Sequence, residues 1–125
     1  MRLLLTSATS ELGRSLAELL APHHDLVLTD LPGHTNGETN IVASDLGHDE
    51  STDRLVADVD GIVHIGHGGH FASASDLLDV HTRCTYNLLT AARSAGVGRF
   101  VNLSTLRLLD DYSEHLTVTE NWRPT

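Results

Sequence analysis

Residues 81–105 read HTRCTYNLLTAARSAGVGRFVNLST. Small and apolar side chains recur every three or four positions through Cys84, Leu88 and Ala92, the period of a helix with one buried face. Leu77 and His81 carry the stripe upstream and Ala95 carries it downstream, so the spacing predicts one helix over 75–95. Gly96 supplies a left-handed stop. RFVNL at 99–103 then has the length and composition of a buried strand, ending at Ser104 and Thr105. A long helix, a glycine stop and a short apolar strand make the second half of a βαβ unit. That unit sets the terms for the rest of the chain.

Working towards the N-terminus, the same alternation repeats. Strands are predicted at 2–6, 25–29 (DLVLT, ending at Asp30), 41–43 and 61–65 (GIVHI). Between them lie a helix at 11–21, with Leu12, Leu16, Leu19 and Leu20 on one face and Pro22 closing it, and a short helix at 49–57. LPGHTNGETN at 31–40 is rich in turn formers and predicts a surface loop. Five strands separated by helical segments predict an α/β fold, a doubly wound parallel sheet of the Rossmann kind. Right-handed crossovers give it the strand order 3-2-1-4-5. Ligands of such sheets bind beyond the carboxyl ends of the strands, where the order reverses. Residues 6–11, Asp30, Asp45, 65–69 and Ser104–Thr105 all fall at those ends.

Composition narrows the classes. The 125 residues have room for a single domain, and 40% apolar residues make it globular. A net charge of −9 argues against nucleic acid and anionic membrane as partners. All eight basic residues are arginines, so no lysine is available for chemistry. A single cysteine, Cys84, excludes an internal disulfide and suits a reducing compartment. MRLLLTS at the start is too short in apolar residues for a signal-peptide core, and no stretch has membrane-spanning length. The expected location is cytoplasmic.

The motifs at the strand ends resemble the extended short-chain dehydrogenase/reductases, the NAD-dependent epimerase/dehydratase family. TSATSELG at 6–13 stands where that family has TGxxGxxG, with Ser7 and Ser10 at the first two glycine positions and only Gly13 retained. A serine at the second position can cap the helix or bond a phosphate oxygen. The Glu11 carboxylate suits a helix N-terminus but repels a pyrophosphate seated there. By itself the segment is equally a structural strand–turn–helix. SDLG at 44–47 matches an Asp-Leu pair beside the adenine, Asp45 and Leu46. DGIVHIGHGG at 60–69 resembles the family's fourth-strand segment and sets Ile65, Gly66 and His67 along the cofactor. The opening stretch agrees most closely, over NVxGTxNLLEAARxAGVKRFVxxSS without a gap, with His81 in place of the family's Asn and Cys84 in place of a Gly.

The resemblance implies NAD as cofactor, held by Ser7, Ser10, Glu11, Leu12, Gly13, Asp30, Asp45, Leu46, Ile65, Gly66, His67, His81 and Ser104. Asp30 would accept from the ribose 2′-hydroxyl and disfavour the 2′-phosphate of NADP. Asp30 can also be a solvated strand-end residue, and His81 a packed helical one. Thr105 matches the residue that binds the substrate hydroxyl. The family base is the Tyr of YxxxK, and neither Tyr86 nor Tyr112 begins that motif. TVTENWRPT at 117–125 resembles the loop ahead of it. The expectation is therefore a 1–125 NAD(P)-binding domain, the N-terminal part of the family's full domain. It would serve a sugar or sugar-nucleotide epimerase, dehydratase or dehydrogenase and be inactive alone. Residues 20–33 and 60–69 look most like the uronate dehydrogenase branch. The alternative is a free-standing, non-catalytic module with an interaction or regulatory role. His64, His67 and His70 lack a recognised zinc spacing, so no metal is expected. The helix at 75–95 has lost a packing partner, which implies a homo-oligomer formed through it.

Overall fold

The structure is a computed structural model that describes residues 1–66, 73–104 and 109–123. Five parallel strands form one sheet: β1 (Arg2–Leu5), β2 (Asp25–Asp30), β3 (Ile41–Ala43), β4 (Gly61–Ile65) and β5 (Arg99–Leu103). Their order is β3-β2-β1-β4-β5, the predicted one. The register sets Leu4 beside Val27 and Ile62, and Ile62 beside Phe100. These apolar side chains share one face of the sheet because successive residues of a strand alternate faces.

That face carries the main core. Leu55 and Val56 of helix α2 (Glu50–Val56), with Cys84, Leu88, Ala91 and Ala92 further along the chain, pack on it against Leu4 and Ile62. Asp49 caps α2, its carboxylate accepting from the amides of Ser51 and Thr52. The other face holds α1 (Glu11–Leu20), which follows β1 directly. Its leucine stripe is only half covered: Leu16 and Leu20 are partly buried, while Leu12 and Leu19 are exposed. Val101 and Leu103 of β5 are exposed as well. One helix does not cover a five-stranded face.

The single helix predicted over 75–95 is divided. Helix α3 (Ala74–Asp79) runs into a π-helical turn, Val80–Cys84, and then α4 (Thr85–Ala95). A π turn carries one extra residue, which rotates everything upstream by about 100° relative to an unbroken helix. Cys84, Leu88 and Ala92 are buried as their spacing predicts, but His81 lies off the stripe and is exposed, as is Ala95. Asn87 and Ala91 are buried instead. Gly96 ends α4 at φ 73°, its amide donating to the carbonyls of Ala92 and Arg93, so the predicted stop is the one used. Among the described residues no helix is long and apolar enough to cross a membrane.

Candidate functional site

The turn from β1 into α1 is held by its own hydroxyls. Ser7 sits at φ 51°, a left-handed conformation that glycine adopts without penalty and serine does not. Its hydroxyl donates to the carbonyl of Ile65 at 2.8 Å, which ties the turn to the end of β4. Ser10 caps α1: its Oγ accepts from the Gly13 amide at 3.0 Å and donates to the Ser7 carbonyl at 2.7 Å. Capping is one of the two uses of that serine which the sequence allowed. Gly13 has no alternative, since a Cβ there would stand 2.2 Å from the Ser7 carbonyl oxygen. The helix and the turn before it meet too closely for any side chain at that point.

Asp30 closes β2 beside this turn. Its Oδ2 accepts from the Thr9 amide at 2.9 Å and from the Thr9 hydroxyl at 2.7 Å. Its Oδ1 accepts from the Leu31 amide at 2.8 Å, and His34 Nδ1 lies 3.9 Å away. The side chain is 0% exposed, so Asp30 is no solvated strand-end residue. Thr9 carried no signal in the sequence, because its partner lies 21 positions away.

At the centre, His64 of β4 bridges two other elements. Its Nδ1 is 2.8 Å from the Thr6 hydroxyl and its Nε2 is 2.9 Å from the hydroxyl of Thr85, which opens α4. Burial holds the imidazole neutral, and the neighbouring His81 adds repulsion, so its pKa is lowered to about 4. His81 itself stands over Gly66: a Cβ on that glycine would lie 2.9 Å from His81 Nδ1. The π turn thus carries His81 to the carboxyl end of β4, where an unbroken helix would have faced it to the core.

The structure brings Ser10, Glu11, Leu12, Ile65 and Gly66 to one cleft of about 420 Å³, with Leu103 on its far wall. Ser7, Asp30, Leu46 and Ile65 line a small gap beside it. Ser104 is exposed just beyond β5. Asp45 is exposed, and its carboxylate accepts from the Gly47 amide. Leu46, at φ 50°, is part of the core, and its carbonyl accepts from the Asn87 side chain. Cys84 donates to the Asp45 carbonyl at 3.1 Å, so the residue replacing a family glycine pins this turn to α4's N-terminal end. His67 and Thr105 lie outside the described residues. Among the described residues no group of three His, Cys, Asp or Glu side chains could hold a metal. A second groove, about 490 Å³, runs between α2 and α4, away from the strand ends.

A doubly wound sheet with a capped helix, an acidic strand end and a cleft at the point of reversal is a dinucleotide-binding frame. The sequence matches the NAD dependent epimerase/dehydratase family over residues 3–124, and the chain belongs to that family. It is 31% identical over 122 residues to a uronate dehydrogenase of Pseudomonas syringae pv. tomato, which covers 94% of this chain and 44% of that protein. A structure described as mutated uronate dehydrogenase superposes with a TM-score of 0.83 at 30% identity, over 99% of this chain and 46% of the other. A mutant uronate dehydrogenase of Agrobacterium tumefaciens complexed with NAD gives 0.71 at 36% identity, over 86% and 42%. The chain therefore spans less than half the length of these relatives.

Several features fit such a cofactor. The first-turn amides of Glu11 and Leu12 have no carbonyl four residues back within the helix, and both residues line the cleft. Gly13 lets α1 pack closely on the turn that precedes it. Glu11, exposed in the first turn, is the feature that opposes an anion there.

Proposed function

We propose that this chain binds NAD across the carboxyl ends of β1, β2 and β4. It would form the dinucleotide-binding part of an enzyme acting on a sugar or sugar nucleotide, with a uronic acid the favoured class. The observation that carries the reading is convergence. Residues distant in sequence (Ser10 to Leu12, Asp30, Ile65 and Gly66) meet at the reversal point of a sheet whose sequence matches an NAD-dependent family. Asp30 would hold the adenosine ribose, with Asp45 and Leu46 beside the adenine. Ser7, Ser10 and Gly13 shape the turn under the pyrophosphate. Ile65, Gly66, His67, His81 and Ser104 would flank the nicotinamide end.

NAD, when bound, supplies the hydride acceptor. Thr105 would bind the reacting hydroxyl. The 125 residues hold no lysine, and neither tyrosine opens a YxxxK motif, so we expect no turnover from them alone. A homo-oligomer through α3 and α4 and a cytoplasmic setting complete the proposal.

Titration calorimetry with NAD and NADP tests it. Asp30→Ala should weaken NAD and narrow its advantage over NADP, because the lost acceptor contacted the 2′-hydroxyl. Unchanged affinity in that variant would remove Asp30 from the site. One observation favours the second reading, a non-catalytic module: the hydroxyls of Ser7, Thr9 and Ser10 are all donated to protein acceptors. No NAD binding at millimolar concentration would decide for it.

A further inference from the structure

We propose that Thr9 is a plug in the ribose pocket, its hydroxyl occupying the place on Asp30 that a sugar hydroxyl takes. The inference rests on the reading of Asp30 as the ribose acceptor and concerns what guards it. An ionised carboxylate offers about four acceptor positions. The Thr9 amide, the Thr9 hydroxyl and the Leu31 amide are among the donors that fill them. The side chain has no exposed surface left, while Thr9 is half-buried and forms the outer member of the pair.

The three bonds differ in what they can give up. The amides of Thr9 and Leu31 are fixed by the backbone, and the turn is tied to β2 independently by the Ala8 amide, which donates to the Thr29 carbonyl at 3.1 Å. Of these three donors, only the hydroxyl can leave by rotation of one side-chain torsion. Its chemistry is also that of the ligand: an O–H donor on a carboxylate oxygen, at the 2.7 Å of a charge-assisted bond. A ribose hydroxyl reaching Asp30 must displace it, so each binding event breaks one such bond before making another.

The two cofactors should respond differently. Freeing the acceptor helps a ligand with a 2′-hydroxyl. A 2′-phosphate has no proton to donate there at neutral pH and meets the same carboxylate charge. Removing the plug should therefore raise affinity for NAD and leave NADP where it was.

Calorimetry on the full chain and on Thr9→Ala and Thr9→Ser, with NAD, NADP and ADP-ribose as titrants, tests this. Thr9→Ala should bind NAD and ADP-ribose roughly tenfold more tightly, the worth of one charge-assisted bond no longer broken. NADP should be unchanged. Thr9→Ser keeps the hydroxyl and should behave as the parent. Melting without ligand gives a second readout: Thr9→Ala should melt lower than the parent although it binds NAD more tightly, a combination no purely structural role produces. Adding Asp30→Ala should abolish the gain. If the parent binds NAD and Thr9→Ala binds no better, or if the gain survives loss of Asp30, the plug is refuted and the NAD reading stands. If neither parent nor Thr9→Ala binds NAD or ADP-ribose, both fall together.

Discussion

Acidification should destabilise this fold through one side chain, His64. In the unfolded chain its imidazole takes up a proton near pH 6.5. In the fold, where it is 3% exposed and beside His81, it does so only at about 4. Hydrogen bonding is not the obstacle. The hydroxyls of Thr6 and Thr85 can each accept from a doubly protonated ring, so loss of water is what opposes the charge. Because the folded pKa is depressed, the unfolded state binds the extra proton first. The contribution is whole above pH 6.5 and is lost as the pH falls from there towards 4. Linkage gives a loss of about 1 kcal/mol at pH 5.5 and about 2–3 kcal/mol at pH 4.5. That is a large part of a small domain's roughly 5–15 kcal/mol. Urea denaturation at pH 7.5, 5.5 and 4.5 measures it, with His64→Asn as reference. The variant keeps a polar group towards Thr6 but cannot titrate, so subtracting it removes the other eight histidines from the comparison. The variant should be less stable at pH 7.5 and lose about 2–3 kcal/mol less than the parent on going to pH 4.5. Parallel pH profiles for the two proteins would show that His64 is solvated enough to protonate freely, and the argument from burial would be wrong.

Further outcomes follow from packing. Gly13→Ala sets a methyl 2.2 Å from the Ser7 carbonyl oxygen and 2.9 Å from the Ala8 Cα, both backbone atoms that cannot swing aside. It should cost about 2 kcal/mol or more, seen as a lower melting temperature, and an unchanged melt would mean the turn is loose. Leu78 and Leu89 are 64% and 45% exposed on the outer side of α3 and α4. Burying a leucine is worth roughly 1.5–3 kcal/mol, so the parent should sediment as a dimer or larger, while Leu78→Glu and Leu89→Glu should shift it to monomer. A parent that stays monomeric at high micromolar concentration would refute association through this face.

Sequence alone determined the architecture because that information is local. Period, turn formers and glycine stops mark β2, β3 and β4 within a residue of their observed ends, and Gly96 ends α4 where the stripe stops. Handedness then leaves one strand order for such a series. Gly13 was legible through the resemblance, as the one glycine retained from the family's TGxxGxxG turn. The state of the site was decided elsewhere. The grip of Thr9 on Asp30 joins residues 21 apart, the bond of His64 to Thr6 joins residues 58 apart, and that of Cys84 to the Asp45 carbonyl spans 39. None of these leaves a periodic trace. The helix at 75–95 shows the limit most directly. Its spacing assigns His81 to the core, and the extra residue of the π turn instead delivers His81 to Gly66 while Cys84 and Thr85 keep their partners on Asp45 and His64. Local propensity fixes that a helix forms there. Contacts from β4 and from the turn after β3 fix where it must bend, and these exist only once the sheet has assembled.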